Sequence, residues 1–111
     1  KNQMTEALQI LGLARRAGAV APGTAATRRS ISQGEARVVL MAEDASPAQL
    51  DKIRRTMRKR IIPQVLLGDR TTLGAAIGRA PITAVAVTDA SLAGRLLESI
   101  DGEIMVDEGR D

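Results

Sequence analysis

The side chains that could do chemistry in this chain are arginines, lysines and carboxylates, because the other usual reagents are missing. There is no cysteine and no histidine among its 111 residues. That removes the thiolate nucleophile, the disulfide framework, the ordinary zinc site and the acid–base group that titrates near neutrality. The sequence holds no Walker loop, no GxGxxG turn and no nucleophile elbow. Glu43-Asp44, at the end of an apolar run, could be read as a metal-binding pair. No catalytic constellation emerges. The expectation is a chain that is not an enzyme and holds no metal or cofactor.

What remains is basic charge. Lys and Arg number 16 against 13 Asp and Glu, a formal charge of +3. The stretch 101–111 sets Asp101, Glu103, Asp107, Glu108 and Asp111 against Arg110, so residues 1–100 carry +7. A basic body suggests a polyanionic partner, although charge alone suits plain solubility as well. Phe, Tyr and Trp are all absent. Without stacking platforms, an aromatic base-stacking sheet or an oligonucleotide-binding barrel is a poor fit. Any nucleic acid must be held by backbone amides, arginines and aliphatic contacts.

The elements that would position these groups can be read from periodicity and punctuation. Residues 5–17 read as a helix with Leu8, Leu11 and Ala14 along one face, stopped at Gly18. A short extended piece, Ala19–Ala21, ends at Pro22-Gly23, and a second helix runs from about Thr24 to Gln33. Val38–Ala42 is a continuous apolar run, expected of a central strand covered on both faces. Ser46-Pro47 opens a third helix carrying Leu50, Ile53 and Met57. Pro63 introduces a strand at Gln64–Leu67, and Asp69 caps a short helix through Ile77, closed by Gly78. Ile82–Val87 is another strand, and Asp89 caps a last helix carrying Leu92, Leu96 and Ile100. This alternation predicts an α/β/α sandwich around a four-stranded sheet. It forms one domain over 1–100, followed by an acidic polar tail, 101–111. The apolar runs are too short to span a membrane and no charged-then-apolar leader opens the sequence, so a cytoplasmic protein is expected.

Four motifs then fall in a recognisable order and spacing: residues 11–18 (LGLARRAG), 41–47 (MAEDASP), 73–78 (LGAAIG) and 84–89 (AVAVTD). Together they resemble the L-seven-Ae kink-turn-binding ribosomal-protein superfamily, especially its bacterial YlxQ-like members, over roughly residues 5–100. The resemblance implies recognition of RNA with a sharp bend, tandem sheared G·A pairs and a flipped-out base. It implies a three-layer α/β/α fold with a four-stranded mixed sheet, and RNA seated at the start of the second helix and on the nearby loops. In that context Glu43-Asp44 is structural or supporting, not a metal pair.

Carried over residue by residue, the RNA-reading segment falls on Gly23, Thr24, Ala25, Ala26, Thr27, Arg28 and Arg29. A helix N-terminus offers unpaired amides and a positive dipole end, and Gly23 lets the backbone approach phosphate closely. Arg29 matches a position usually held by a family lysine and could pair with phosphate or a guanine edge. An ordinary helix with exposed arginines is the alternative. Family members place Asn and Glu where this chain has Ala25 and Ala26, which can neither donate nor accept a side-chain hydrogen bond. Phosphate contacts position an RNA whereas base-edge contacts specify it, so the two alanines put kink-turn specificity, though not RNA binding, in question.

The flipped-base pocket maps onto Ser46, Leu50, Arg70 and the loop Arg79-Ala80-Pro81-Ile82. Leu50 and Ile82 could offer aliphatic surface to a base, and Arg70 and Arg79 could hold flanking phosphates. A helix cap explains Ser46, and a core position Leu50, about as well. Lys52, Arg54, Arg55, Arg58, Lys59 and Arg60 form the densest basic run, which reads first as a solvated helix face ending in favourable positive charge. An auxiliary ribosomal RNA contact is the second reading of that run. The expected partner is structured RNA, ribosomal or kink-turn-containing, with the ribosome as a further candidate and the chain itself a monomer. Two rival functions remain: a protein-interaction adaptor of the same fold, and a substrate-binding appendage of an RNA-modifying enzyme.

Overall fold

In the computed structural model, which describes residues 3–100, the alternation of helices and strands follows the hydrophobic pattern element by element. The order is α1 (Gln3–Arg16), β1 (Val20–Pro22), α2 (Thr24–Ser32), β2 (Val38–Met41), α3 (Pro47–Thr56), β3 (Gln64–Leu66), α4 (Arg70–Ala76), β4 (Ala84–Val87) and α5 (Ala90–Ser99). The acidic stretch 101–111 lies outside the described residues, as do Lys1 and Asn2. Among the described residues, no helix is long and apolar enough to cross a membrane.

The four strands form one mixed sheet in the order β1-β4-β2-β3. β4 runs antiparallel to both its neighbours, pairing Ala21 with Ala86 on one side and Val39 with Ala86 on the other. β3 runs parallel to β2, with Leu40 opposite Val65. β2 and β4 are central, and every residue of both is buried. Because side chains alternate across a strand, each central strand feeds two separate cores.

Val38, Leu40, Val85 and Val87 face one way, into a cluster with Leu11 and Ala14 of α1, Leu73 of α4 and Leu96 of α5. Val39, Met41, Ala84 and Ala86 face the other way, onto Ile31 of α2 and Ile53 of α3. The expected three layers are therefore present: α1, α4 and α5 on one face, α2 and α3 on the other. The two faces of β4 differ in size, valine toward the three-helix layer and alanine toward α2. The small face lets α2 lie close on the sheet.

The elements start and stop within about two residues of the expected bounds, and the departure at the last strand has a clear physical reason. The last strand begins at Ala84 and not at Ile82. The amide of Ile82 donates to Arg70 O at 3.2 Å, and Thr83 O accepts from the Ala42 amide at 2.8 Å. Ile82 is thus tied to the start of α4 and belongs to the connection, although it is as apolar as the strand that follows.

The alanine face of β4 leaves no room for a larger residue without moving α2. Ala86→Leu is expected to cost about 1–3 kcal/mol through overpacking, lowering Tm by roughly 4–8 °C per kcal/mol in a domain of this size. A thermal melt matching that of the unsubstituted chain would show that α2 lifts off the sheet freely.

Candidate functional site

Strand direction decides where the helices start. β1, β2 and β3 all run one way and β4 runs the other, so the C-terminal ends of three strands share one end of the sheet. Each of those strands is followed by a helix. The N-termini of α2, α3 and α4 therefore converge there, beside the α4–β4 connection, which enters the sheet from the same end. Hydrogen bonds tie these connections together. The Gly23 amide donates to Ala84 O and the Glu43 amide to Gly68 O, both at 2.8 Å, and the Arg70 amide donates to Asp44 Oδ1 at 2.9 Å.

The helix starts are not alike. Ser46 Oγ accepts from the Gln49 amide at 3.3 Å, and Asp69 Oδ1 accepts from the Thr72 amide at 2.8 Å. The Thr72 amide and hydroxyl hold the Asp69 carboxyl below its ordinary pKa. At the other end of the sheet Asp89 caps α5 in the same way, at 2.8 Å from the Leu92 amide. The start of α2 has no side-chain cap: its N-cap is Gly23, at φ 92° and ψ 165°, and its first turn carries no acid. That backbone region is open to glycine and strained for other residues. The amides and positive dipole end of α2 are thus left for a ligand or solvent.

Of the residues that sequence reasoning placed on α2, Gly23 and Thr24 are half-buried at this start, and Arg29 is exposed in the last turn of the helix. Thr27 and Arg28 are placed elsewhere. Thr27 is wholly buried and its hydroxyl donates to Ala21 O at 3.2 Å; its side chain fastens α2 to β1 and has no surface to offer. Arg28 is half-buried, and its Nε donates to Thr56 Oγ1 at 2.8 Å, bracing α2 against the last turn of α3. That direction leads away from the helix start.

The second group does gather. Ser46 and Leu50 open α3, Arg70 opens α4, and Arg79 and Ile82 lie in the α4–β4 connection. Leu50 is half-buried against both cores, and Ile82 packs against the three-helix core. Arg70 stands about half exposed with its Nε 3.5 Å from Asp44 Oδ2. Asp44 therefore holds both the amide and the guanidinium of Arg70, so it fixes the cation while offsetting part of its charge. Among the described residues, no group of three His, Cys, Asp or Glu could hold a metal ion, so Glu43-Asp44 is not part of such a cluster.

Sequence reasoning missed the seat of the 79–82 connection. A Cβ on Gly74, inside α4, would overlap the Ala80 carbonyl and come within 3.0 Å of Arg79 O. The Arg79 amide donates to Gly74 O at 2.9 Å. The signal was available: glycine inside a helix costs about 1 kcal/mol against alanine, so one placed there often marks a close approach of backbone.

The chain can be compared with known proteins on this footing. The profile of the ribosomal protein L7Ae/L30e/S12e/Gadd45 family matches residues 5–96. The chain is similar to the RNA-binding protein YlxQ of Bacillus subtilis (strain 168), 34% identical over 92 residues, which cover 83% of this chain and 92% of the relative. Among solved structures it is similar to a protein with unknown function from Bacillus halodurans C, with a TM-score of 0.81 and 29% identity over 86% of this chain and 97% of the other. A 15.5kD RNA binding protein from Giardia lamblia gives a TM-score of 0.76 at 19% identity, covering 96% of this chain and 91% of the other. That last likeness is one of fold alone.

The Gly74 seat generates a direct test. Gly74→Ala should gain helix propensity yet lose stability by about 1–3 kcal/mol, because the methyl group meets backbone that cannot swing aside. Urea denaturation would show it as a lower midpoint; a higher midpoint would mean that the 79–82 connection yields freely.

Proposed function

Because the chain belongs to the ribosomal protein L7Ae/L30e/S12e/Gadd45 family, we propose that it is a non-catalytic RNA-binding protein whose partner is a bent, structured RNA seated where α2, α3 and α4 begin. The observation that carries this reading is the start of α2, which no side chain caps, at the same end of the sheet as the exposed Arg70 and Arg79, with Arg29 exposed further along the helix. Backbone amides at a helix N-terminus suit a phosphate without further modification. An arginine further along the helix can add a bidentate contact.

The remaining roles divide by chemistry. Gly23 and Thr24 bring backbone to the phosphates, and Arg29 supports them from α2. Arg70, held by Asp44, and Arg79, on the seat formed by Gly74, flank a displaced base. Leu50 and Ile82 give that base aliphatic surface in a chain without aromatic residues, and Ser46 lies at the rim. Thr27 and Arg28 hold α2 in place and are left out of the contact set. The partner RNA is a kink-turn or a similarly bent element, ribosomal RNA included. The chain acts as a monomer in the cytoplasm and uses no cofactor.

Ala25 and Ala26 favour a second reading, an adaptor that binds protein through the same end of the sheet. Ala25 is exposed at the start of α2 and Ala26 half-buried beside it, and neither side chain can pair with the edges of a sheared G·A pair. The bare helix start and the three arginines speak for RNA as the partner.

Two outcomes are expected. Affinity for a kink-turn RNA should fall steeply with salt, with a log–log slope of about −0.9 per phosphate contact. Arg29→Ala should make that slope shallower while stability stays within about 0.5 kcal/mol. A flat salt response, or no binding at low salt, would turn the reading toward the adaptor. Next, Ala25→Asn with Ala26→Glu supplies partners for groups whose burial unpaired costs about 1–3 kcal/mol. The pair should tighten binding to a kink-turn more than to an unbent duplex. Equal effects on both RNAs would show that the RNA docks without reading the sheared pairs at α2.

A further inference from the structure

The opposite end of the sheet carries a second basic surface that the proposed site does not use. There the α2–β2 and α3–β3 connections lie side by side, because β2 and β3 run parallel and the Val39 amide donates to Pro63 O at 3.0 Å. Between them is a groove of about 260 Å³ whose lining includes Gly34, Arg37, Lys59, Arg60, Ile61 and Ile62. Its lining contains three cations and no carboxylate; Glu35, in the same connection, is exposed but does not line it.

The cations differ in how they are held. Arg60 is fixed: its Nη2 donates to Ser32 O at 2.9 Å, at the last turn of α2, and its Nη1 lies 3.2 Å from where a Cβ on Gly34 would stand. Arg37 and Lys59 are exposed, and neither is ion-paired to any described residue. Two uncompensated charges thus stand beside one that is already ordered, so a bound anion need not immobilise all three. Ile61, on the rim, is wholly exposed. An aliphatic side chain left in water among cations suits contact with a ribose or base face, the one kind of apolar nucleic-acid contact open to a chain without aromatics.

We propose that this groove is a second RNA-contacting surface, taking the phosphodiester backbone of an arm that extends beyond the bend. The inference rests on the RNA reading above and deepens it. The two surfaces lie at opposite ends of α2, nine residues and about 14 Å long. A duplex presents a phosphate charge every ~1.7 Å along its axis, so an arm running along this flank meets both surfaces. An acidic protein segment is the competing occupant. The RNA backbone is favoured because Ile61 and the three cations match its alternation of sugar and charge, and because it continues from the first site.

The test uses Arg37→Ala with Lys59→Ala in the full chain, leaving Arg60 in place because it caps the end of α2. The probes are a kink-turn RNA with short arms, the same RNA with one arm lengthened, and polyglutamate. On the short RNA the double variant should bind like the unsubstituted chain. On the long RNA it should bind more weakly, with a salt slope shallower by about 0.9 per lost contact. The gap between the two proteins then narrows roughly tenfold between about 50 and 200 mM salt, if both contacts are made. Unchanged affinity and slope on the long RNA would overturn the groove while leaving the first site standing. Equal weakening on both RNAs would overturn it as a general charge effect, and so would loss of polyglutamate binding with RNA affinity intact. Failure of the unsubstituted chain to bind either RNA would sink the RNA reading itself, and this inference with it.

Discussion

Two four-residue strands, β2 and β4, pair antiparallel at the centre of the sheet with every side chain buried, and the placement of everything else depends on that pair. Buried backbone polar groups must find partners, so each of these strands needs a neighbour on its outer side. β1 supplies one by running antiparallel to β4, and β3 supplies the other by running parallel to β2. With three strands pointing one way, the helices that follow them must start at a common end. The candidate site is therefore a product of strand direction before it is a product of any side chain.

Much of this was legible because the relevant signals are local. Val38–Ala42 is apolar without alternation, which identifies a strand buried on both faces. Ser46, Asp69 and Asp89 each stand one residue before their helix and each does cap it, as a short polar side chain before an apolar periodicity should. The four ordered motifs point to the family whose profile matches residues 5–96. The sheet's mixed character was implied by that resemblance, since alternation of strands and helices alone argues a parallel sheet. Only the entry to β4 misled, because Ile82 has the composition of a strand residue while its amide is tied to α4.

What was not legible lies in pairings between elements distant in sequence. Nothing in the neighbourhood of Arg28 announces Thr56, 28 residues away, as its partner. Thr27 and Arg28 sit in one turn with Arg29, and the packing of α2 against the sheet and α3 decides which of the three remains in solvent. Asp44 and Arg70 are separated by 26 residues and meet because β2 and β3 are neighbours. Such contacts are set by tertiary geometry, which periodicity does not encode. The sequence row of arginines therefore overstated how many of them one surface could share.

The start of α2 has a consequence for how the protein responds to its surroundings. Its attraction for an anion comes from peptide dipoles and from guanidinium groups, neither of which exchanges a proton at physiological acidity. The chain has no histidine that could add or remove charge there. Control over occupancy must come from ionic strength, from the concentration of the partner or from its shape. Mild acidification, which switches many histidine-bearing surfaces, finds no imidazole to act on here.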